Sequence, residues 1–148
     1  MGPRLMPSIL ERTLESAVAE SWIRDSLTLH PRGAELTVSG ACMAPAIPEG
    51  SRVRLARPLT TPRVGDVVLL RTPHGLRLHR ILVRFRGSIR TKGDQGTYLD
   101  PPISAQAVIA AWQSAEWRTQ RLLRAGLSLF RLLFRHVRPA PPELLELR

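Results

Sequence analysis

Hydrophobic and polar positions follow three different rhythms along this chain. From residue 8 to residue 29 the apolar side chains Ile9, Leu10, Leu14, Val18, Trp22 and Ile23 recur at helical spacing, which predicts an amphipathic helix. Pro7 and Ser8 make its start. His30-Pro31-Arg32-Gly33 breaks it, because proline removes a backbone donor and glycine permits positive φ. Residues 1–33 are therefore expected to form a helical appendage to whatever follows.

Residues 34–112 change to short alternating or β-branched runs over 35–38, 52–56, 67–71, 76–85, 88–91 and 108–112. Turn-forming clusters separate them: Pro48-Glu49-Gly50, Val64-Gly65-Asp66, Pro73-His74-Gly75 and Gly93-Asp94-Gln95-Gly96. Such spacing predicts a mainly β fold, a compact antiparallel unit built as folded-over sheets or a partial barrel. Beyond Gln113 the rhythm becomes helical again. Trp117, Leu122, Leu123, Leu127, Phe130, Leu133, Phe134 and Val137 alternate with Arg118, Arg121, Arg124, Arg131, Arg135 and Arg138. A basic amphipathic helix over 113–138 is expected, suited either to an anionic membrane surface or to packing on protein, with 139–148 as a tail.

Composition narrows the function classes. The 148 residues suit one domain, and 22 basic against 12 acidic side chains give a net charge of +10, which favours an anionic membrane, a nucleic acid or an acidic partner without specifying a fold. The single cysteine, Cys42, excludes an internal disulfide. Residues 1–7 lack the apolar run of a secretory signal, and nowhere do roughly 20 apolar residues follow one another as a bilayer span requires. A cytoplasmic protein, peripheral at a membrane, is the expectation. One cysteine and four scattered histidines show no metal-ligand spacing, and the dispersed glycines form no phosphate cradle, so neither metal nor cofactor is expected.

The densest chemistry lies at Ser39-Gly40-Ala41-Cys42-Met43-Ala44-Pro45, followed by Ile47-Pro48-Glu49-Gly50-Ser51. A glycine at the end of a strand lets the backbone turn sharply, exposes the next side chain and can aim its N–H at a developing oxyanion. Downstream come Val64-Gly65-Asp66-Val67-Val68, Leu78-His79-Arg80-Ile81 and Thr91-Lys92-Gly93-Asp94-Gln95, with Asp100 after them. Together these stretches resemble, in order, the boxes of the signal peptidase I and LexA-like peptidase superfamily. They are closest to the Ser-His-Asp branch of endoplasmic reticulum and archaeal signal peptidases, with cysteine standing where that family has serine.

The resemblance implies that Cys42 is the nucleophile, His79 the general base and Asp100 the group that orients the imidazole, with Asp94, Gly40 and Met43 in support. A free thiol is a few per cent ionised at neutral pH, and a histidine that takes its proton activates it. Three readings of Cys42 stay open: a thiol peptidase, a serine enzyme altered to cysteine, and an inactive module that only binds peptide. Each residue also has a plainer reading. A cysteine beside a methionine on a β scaffold can be inert core, Asp94 an ordinary turn former, and Asp100 the end of a loop before Pro101-Pro102. His30, His74 and His136 are read as structural, and Asp66 and Glu49 as turn residues. The expected function is an endopeptidase that cuts a leader or precursor peptide after a small residue, the peptide lying as an added strand on the sheet. Nucleic acid is disfavoured as a partner because no recognition helix stands out.

Overall fold

The computed structural model describes residues 9–30, 32–72, 75–114 and 118–134. Pro7, Ser8, His74, Trp117, His136, Val137 and the tail from Pro139 lie outside these residues. The elements are α1 (Ile9–Leu29), β1 (Ala34–Thr37), β2 (Arg52–Ala56), β3 (Val67–Thr72), β4 (Gly75–Phe85), β5 (Ser88–Lys92), β6 (Ile103–Ser104), β7 (Ala110–Trp112) and α2 (Arg118–Phe134), with a 3-10 turn at Ala105–Ala107.

The strands form one antiparallel sheet in the order β1-β2-β7-β3-β4-β5-β6, curled into a half-barrel. β2 and β3 are successive in sequence but do not pair. β7 enters between them, with Leu55 opposite Trp112 and Ala56 opposite Ala111 on one side, and Val68 opposite Ala111 on the other. The last strand thus joins the β1–β2 pair to the β3–β4–β5 meander.

β3 shows why the sheet curls around two cores. Its side chains alternate between faces, as in any strand, yet Val67, Val68, Leu69 and Leu70 are all buried. Val67 and Leu69 join Met43, Ile47, Val53, Leu55, Leu78 and Ile109 on one side. Val68 and Leu70 join Ile81, Ile89, Ala105 and Val108 on the other. An unbroken apolar run is the signature of a strand covered on both faces.

Three expectations from the sequence change. α1 is part of the core, because Ile23 and Leu27 are buried within the first cluster; it is no appendage. The turn of helix they occupy also overrides the simpler face, leaving Val18 and Trp22 exposed. The strand expected over 108–112 begins only at Ala110, since Val108 closes the 3-10 turn through its N–H to the Ala105 carbonyl. β6 went unread because two residues cannot display a period. It is held by pairing with Ser88 and Ile89 of β5. Among the described residues the second helix runs over Arg118–Phe134, and Gln113 is not helical, its N–H donating to the Arg54 carbonyl.

Candidate active site

The turn that carries Cys42 is a closed loop between β1 and β2. Its base is tied by Val38 N–H to the Ser51 carbonyl and Gly50 N–H to the Val38 carbonyl, at 2.9 and 2.8 Å. Met43 and Ile47 anchor it by inserting into the first core, where they are 0% and 1% exposed. Between anchor and strand the chain reverses at Gly40, whose φ of 91° a side chain with a Cβ rarely adopts. The Gly40 N–H is satisfied by Glu49 Oε1 at 3.1 Å. Cys42 is left half-buried with its thiol directed at the Leu78 carbonyl, 4.0 Å away.

β4 brings the second residue to the same place. His79 pairs with Val68 in the β3 register, beside the Leu78 carbonyl that faces the thiol. Its Nδ1 lies 2.5 Å from Asp100 Oδ2. Asp100 sits in irregular chain after β5, and three contacts hold it there. Its own N–H donates to the Thr91 carbonyl at 2.8 Å, its carbonyl accepts from Arg90 Nε at 3.1 Å, and Oδ2 accepts from Thr91 Oγ1 at 2.7 Å. With Nδ1 engaged by the carboxylate, Nε2 is the ring nitrogen left for chemistry.

Gly93 shows which way Nε2 points. A Cβ built there would stand 2.8 Å from the Cys42 carbonyl oxygen, 3.2 Å from Cys42 Cβ and 3.2 Å from His79 Nε2. The turn after β5 therefore passes directly against both Cys42 and the outer nitrogen of His79, a close approach that only glycine permits. The same turn holds the Cys42 backbone through Gln95 N–H, which donates to the Cys42 carbonyl at 2.9 Å.

Beneath the site lie two buried cations. Arg80 is 0% exposed and makes a two-pronged contact with Asp94, each N–O distance 2.9 Å, while a third nitrogen donates to the Gly65 carbonyl. A planar guanidinium matches a carboxylate in this bidentate geometry. Lys92 is 1% exposed, and its ammonium donates to the Gly93 carbonyl and to Ser128 Oγ of α2. Asp94 thus acts on the site by fixing Arg80, the next residue after His79, rather than by touching the imidazole.

These surroundings shift both reactive groups toward their charged forms. Hydrogen bonding to His79 draws the Cys42 thiol below its ordinary value against the opposing effect of burial, helped by the charges of His79 and Arg77 and by its own backbone N–H. Burial opposes charge on His79, but hydrogen bonds to Asp100 and Cys42, and their negative charges, outweigh it and lift the imidazole to about 9. A thiolate beside an imidazolium is the state that both shifts favour.

Cys42, His79 and Asp100, widely separated in sequence, are brought together in one chain of contacts. Gly40 shapes the turn and Asp94 braces it from below. Met43 is a core anchor. Sequence reasoning passed over Thr91, which orients Asp100, Arg80, which pairs with Asp94, and Glu49, which it read as a turn residue. Thr91 and Arg80 lie in the Thr91–Gln95 and Leu78–Ile81 stretches, but only the fold shows what they bind. Asp66 is more than a turn former: Oδ2 accepts from Arg63 N–H and Oδ1 from Arg121 of α2. Among the described residues, no group of three or more histidine, cysteine and acidic side chains is placed to hold a metal ion. No family model matches this chain, and neither a curated protein nor a solved structure matches it.

Proposed function

We propose that this protein is an endopeptidase working through a Cys42-His79-Asp100 acyl-enzyme mechanism. The observation that carries the reading is the contact chain from the half-buried thiol, through His79, to an Asp100 carboxylate oriented by Thr91. In the resting pair the proton resides on the imidazole. The Cys42 sulfur attacks the peptide carbonyl carbon, and the oxyanion that forms needs a donor, the role this reading gives to the Cys42 N–H. As the C–N bond breaks, His79 Nε2 gives its proton to the departing amine and a thioester remains. Nε2 then takes a proton from water, whose oxygen attacks the thioester and restores the thiolate. Asp100 keeps the imidazole in one tautomer and stabilises its charge throughout.

β1 supports an extended substrate. It is an outer strand of the sheet, pairing only with β2 among the described strands, and it leads through Val38 and Ser39 straight into the Cys42 turn. A peptide added along β1 runs toward the thiol. The likeness to signal peptidases adds a small residue before the cut and a leader or precursor peptide as substrate. Intact-mass analysis after mixing with extended peptides that contain Ala or Gly tests this reading. An acyl adduct in the parent and none in Cys42→Ala are expected. Peptide binding with neither adduct nor cleavage, in both the parent and Cys42→Ser, would replace the peptidase reading with a binding module.

A further inference from the structure

α2 packs with the wrong face inward for a core helix. Its buried residues are Ala125 and Ser128, joined by Arg121, which reaches Asp66 at 3.1 Å. Leu129 and Leu132 are half-buried beside them, whereas five large apolar side chains, Leu122, Leu123, Leu127, Phe130 and Leu133, are 46% to 68% exposed. At about 100° per residue these five share one face, opposite the docked one. A helix held only by the hydrophobic effect buries such a stripe. Here the most buried contacts are small and polar, including Ser128 to the buried Lys92 ammonium, and a row of four leucines and Phe130 is presented outward.

We infer that this face seats the domain on an anionic membrane surface. Charge identifies the occupant. α2 carries four arginines and no acidic residue, in a chain of net charge +10. Arg124 and Arg131 fall along the border of the apolar face beside Leu127, where headgroup phosphates meet an interfacial helix. A second copy of the chain is a poor match. Apposing two such faces would bring arginine borders together with no acidic side chain on either helix to answer them. No helix among the described residues is long and apolar enough to cross a membrane, so α2 would lie in the interface. The inference is independent of the peptidase reading, although the Lys92 link from Ser128 to Gly93 ties the docked side of α2 to the turn that lies against Cys42 and His79.

Cosedimentation of the full chain with vesicles tests it, comparing phosphatidylcholine alone with phosphatidylcholine mixed with phosphatidylglycerol. Binding to the mixed vesicles, weakened by salt, is expected. Leu123→Glu with Leu127→Glu should lower it at least about tenfold, and Arg131→Gln about fivefold. Circular dichroism and thermal melting should match the parent for both variants, because Leu123 and Leu127 are 64% and 57% exposed. Equal binding by the parent and the double leucine variant overturns the inference, as does equal binding to both vesicle types. A parent that binds neither also overturns it, whether sedimentation velocity finds a dimer that the leucine variant dissociates or a monomer whose face its own tail covers.

Discussion

Replacing Asp100 by asparagine removes a charge while keeping the shape of a side chain that touches His79 and Thr91. The rise of His79 from 6.5 to about 9 corresponds to about 3 kcal/mol of preference for the imidazolium. Asp100 supplies the larger of the hydrogen bonds behind that rise and a negative charge as well, while burial pulls the other way. In Asp100→Asn burial meets less opposition, so the imidazole falls toward or below its ordinary value and the thiolate loses its cationic neighbour. Loss of even half the preference, about 1.5 kcal/mol, changes the thiolate–imidazolium population about tenfold. The assay is the rate of Cys42 alkylation by iodoacetamide across pH, followed by intact mass. At pH 7 the variant should react at least about tenfold more slowly, with its midpoint displaced toward that of a free thiol. An unchanged pH profile in a variant that melts like the parent would refute the claim that Asp100 acts through His79 on Cys42.

Other consequences follow from neighbouring contacts. Gly93→Ala places a methyl 2.8 Å from the Cys42 carbonyl oxygen; peptide cleavage should fall about 100-fold through misplacement of the nucleophile, against a stability loss of about 1–3 kcal/mol in urea titration. Asp94→Ala strands the fully buried Arg80 charge and should cost about 3–5 kcal/mol, far more than an exposed pair such as Arg54–Glu35, where Glu35→Ala should cost less than about 1 kcal/mol. For cleavage, kcat/KM should decline on the alkaline side near 9 as His79 loses its proton. The stability linkage has opposite signs for the two partners. The raised His79 stabilises fully below 6.5 and stops doing so as pH climbs through its folded value, whereas the lowered Cys42 stabilises above its ordinary value and stops as pH falls through its lowered one. In Cys42→Ala only the histidine contribution remains, so urea stability should drop as pH rises above 6.5, and adding Asp100→Asn should flatten that slope.

Periodicity is local, and what depends on it was legible from residues alone: a β unit between two helices, the turns at Gly50, Gly65 and Gly93, and the limits of β2. Cys42, His79, Asp94 and Asp100 could be singled out from the sequence because each lies in or just after a short contiguous stretch, and such a stretch is readable without the fold. Non-local pairing was not. Nothing in Ala110–Trp112 announces that it will insert between β2 and β3, since strand order depends on which edges remain open once the meander has formed. Pairing across the fold likewise decided that Thr91 would hold Asp100, that Arg80 would be buried against Asp94, and that Gly93 would lie against both Cys42 and His79. α2 shows the same limit most plainly. Its amphipathic pattern was readable as a pattern, but a helix can turn either face to a protein. Contacts from Asp66 and Lys92, distant in sequence, decided that Arg121, Ala125 and Ser128 would face inward and that Leu122, Leu123, Leu127, Phe130 and Leu133 would face outward.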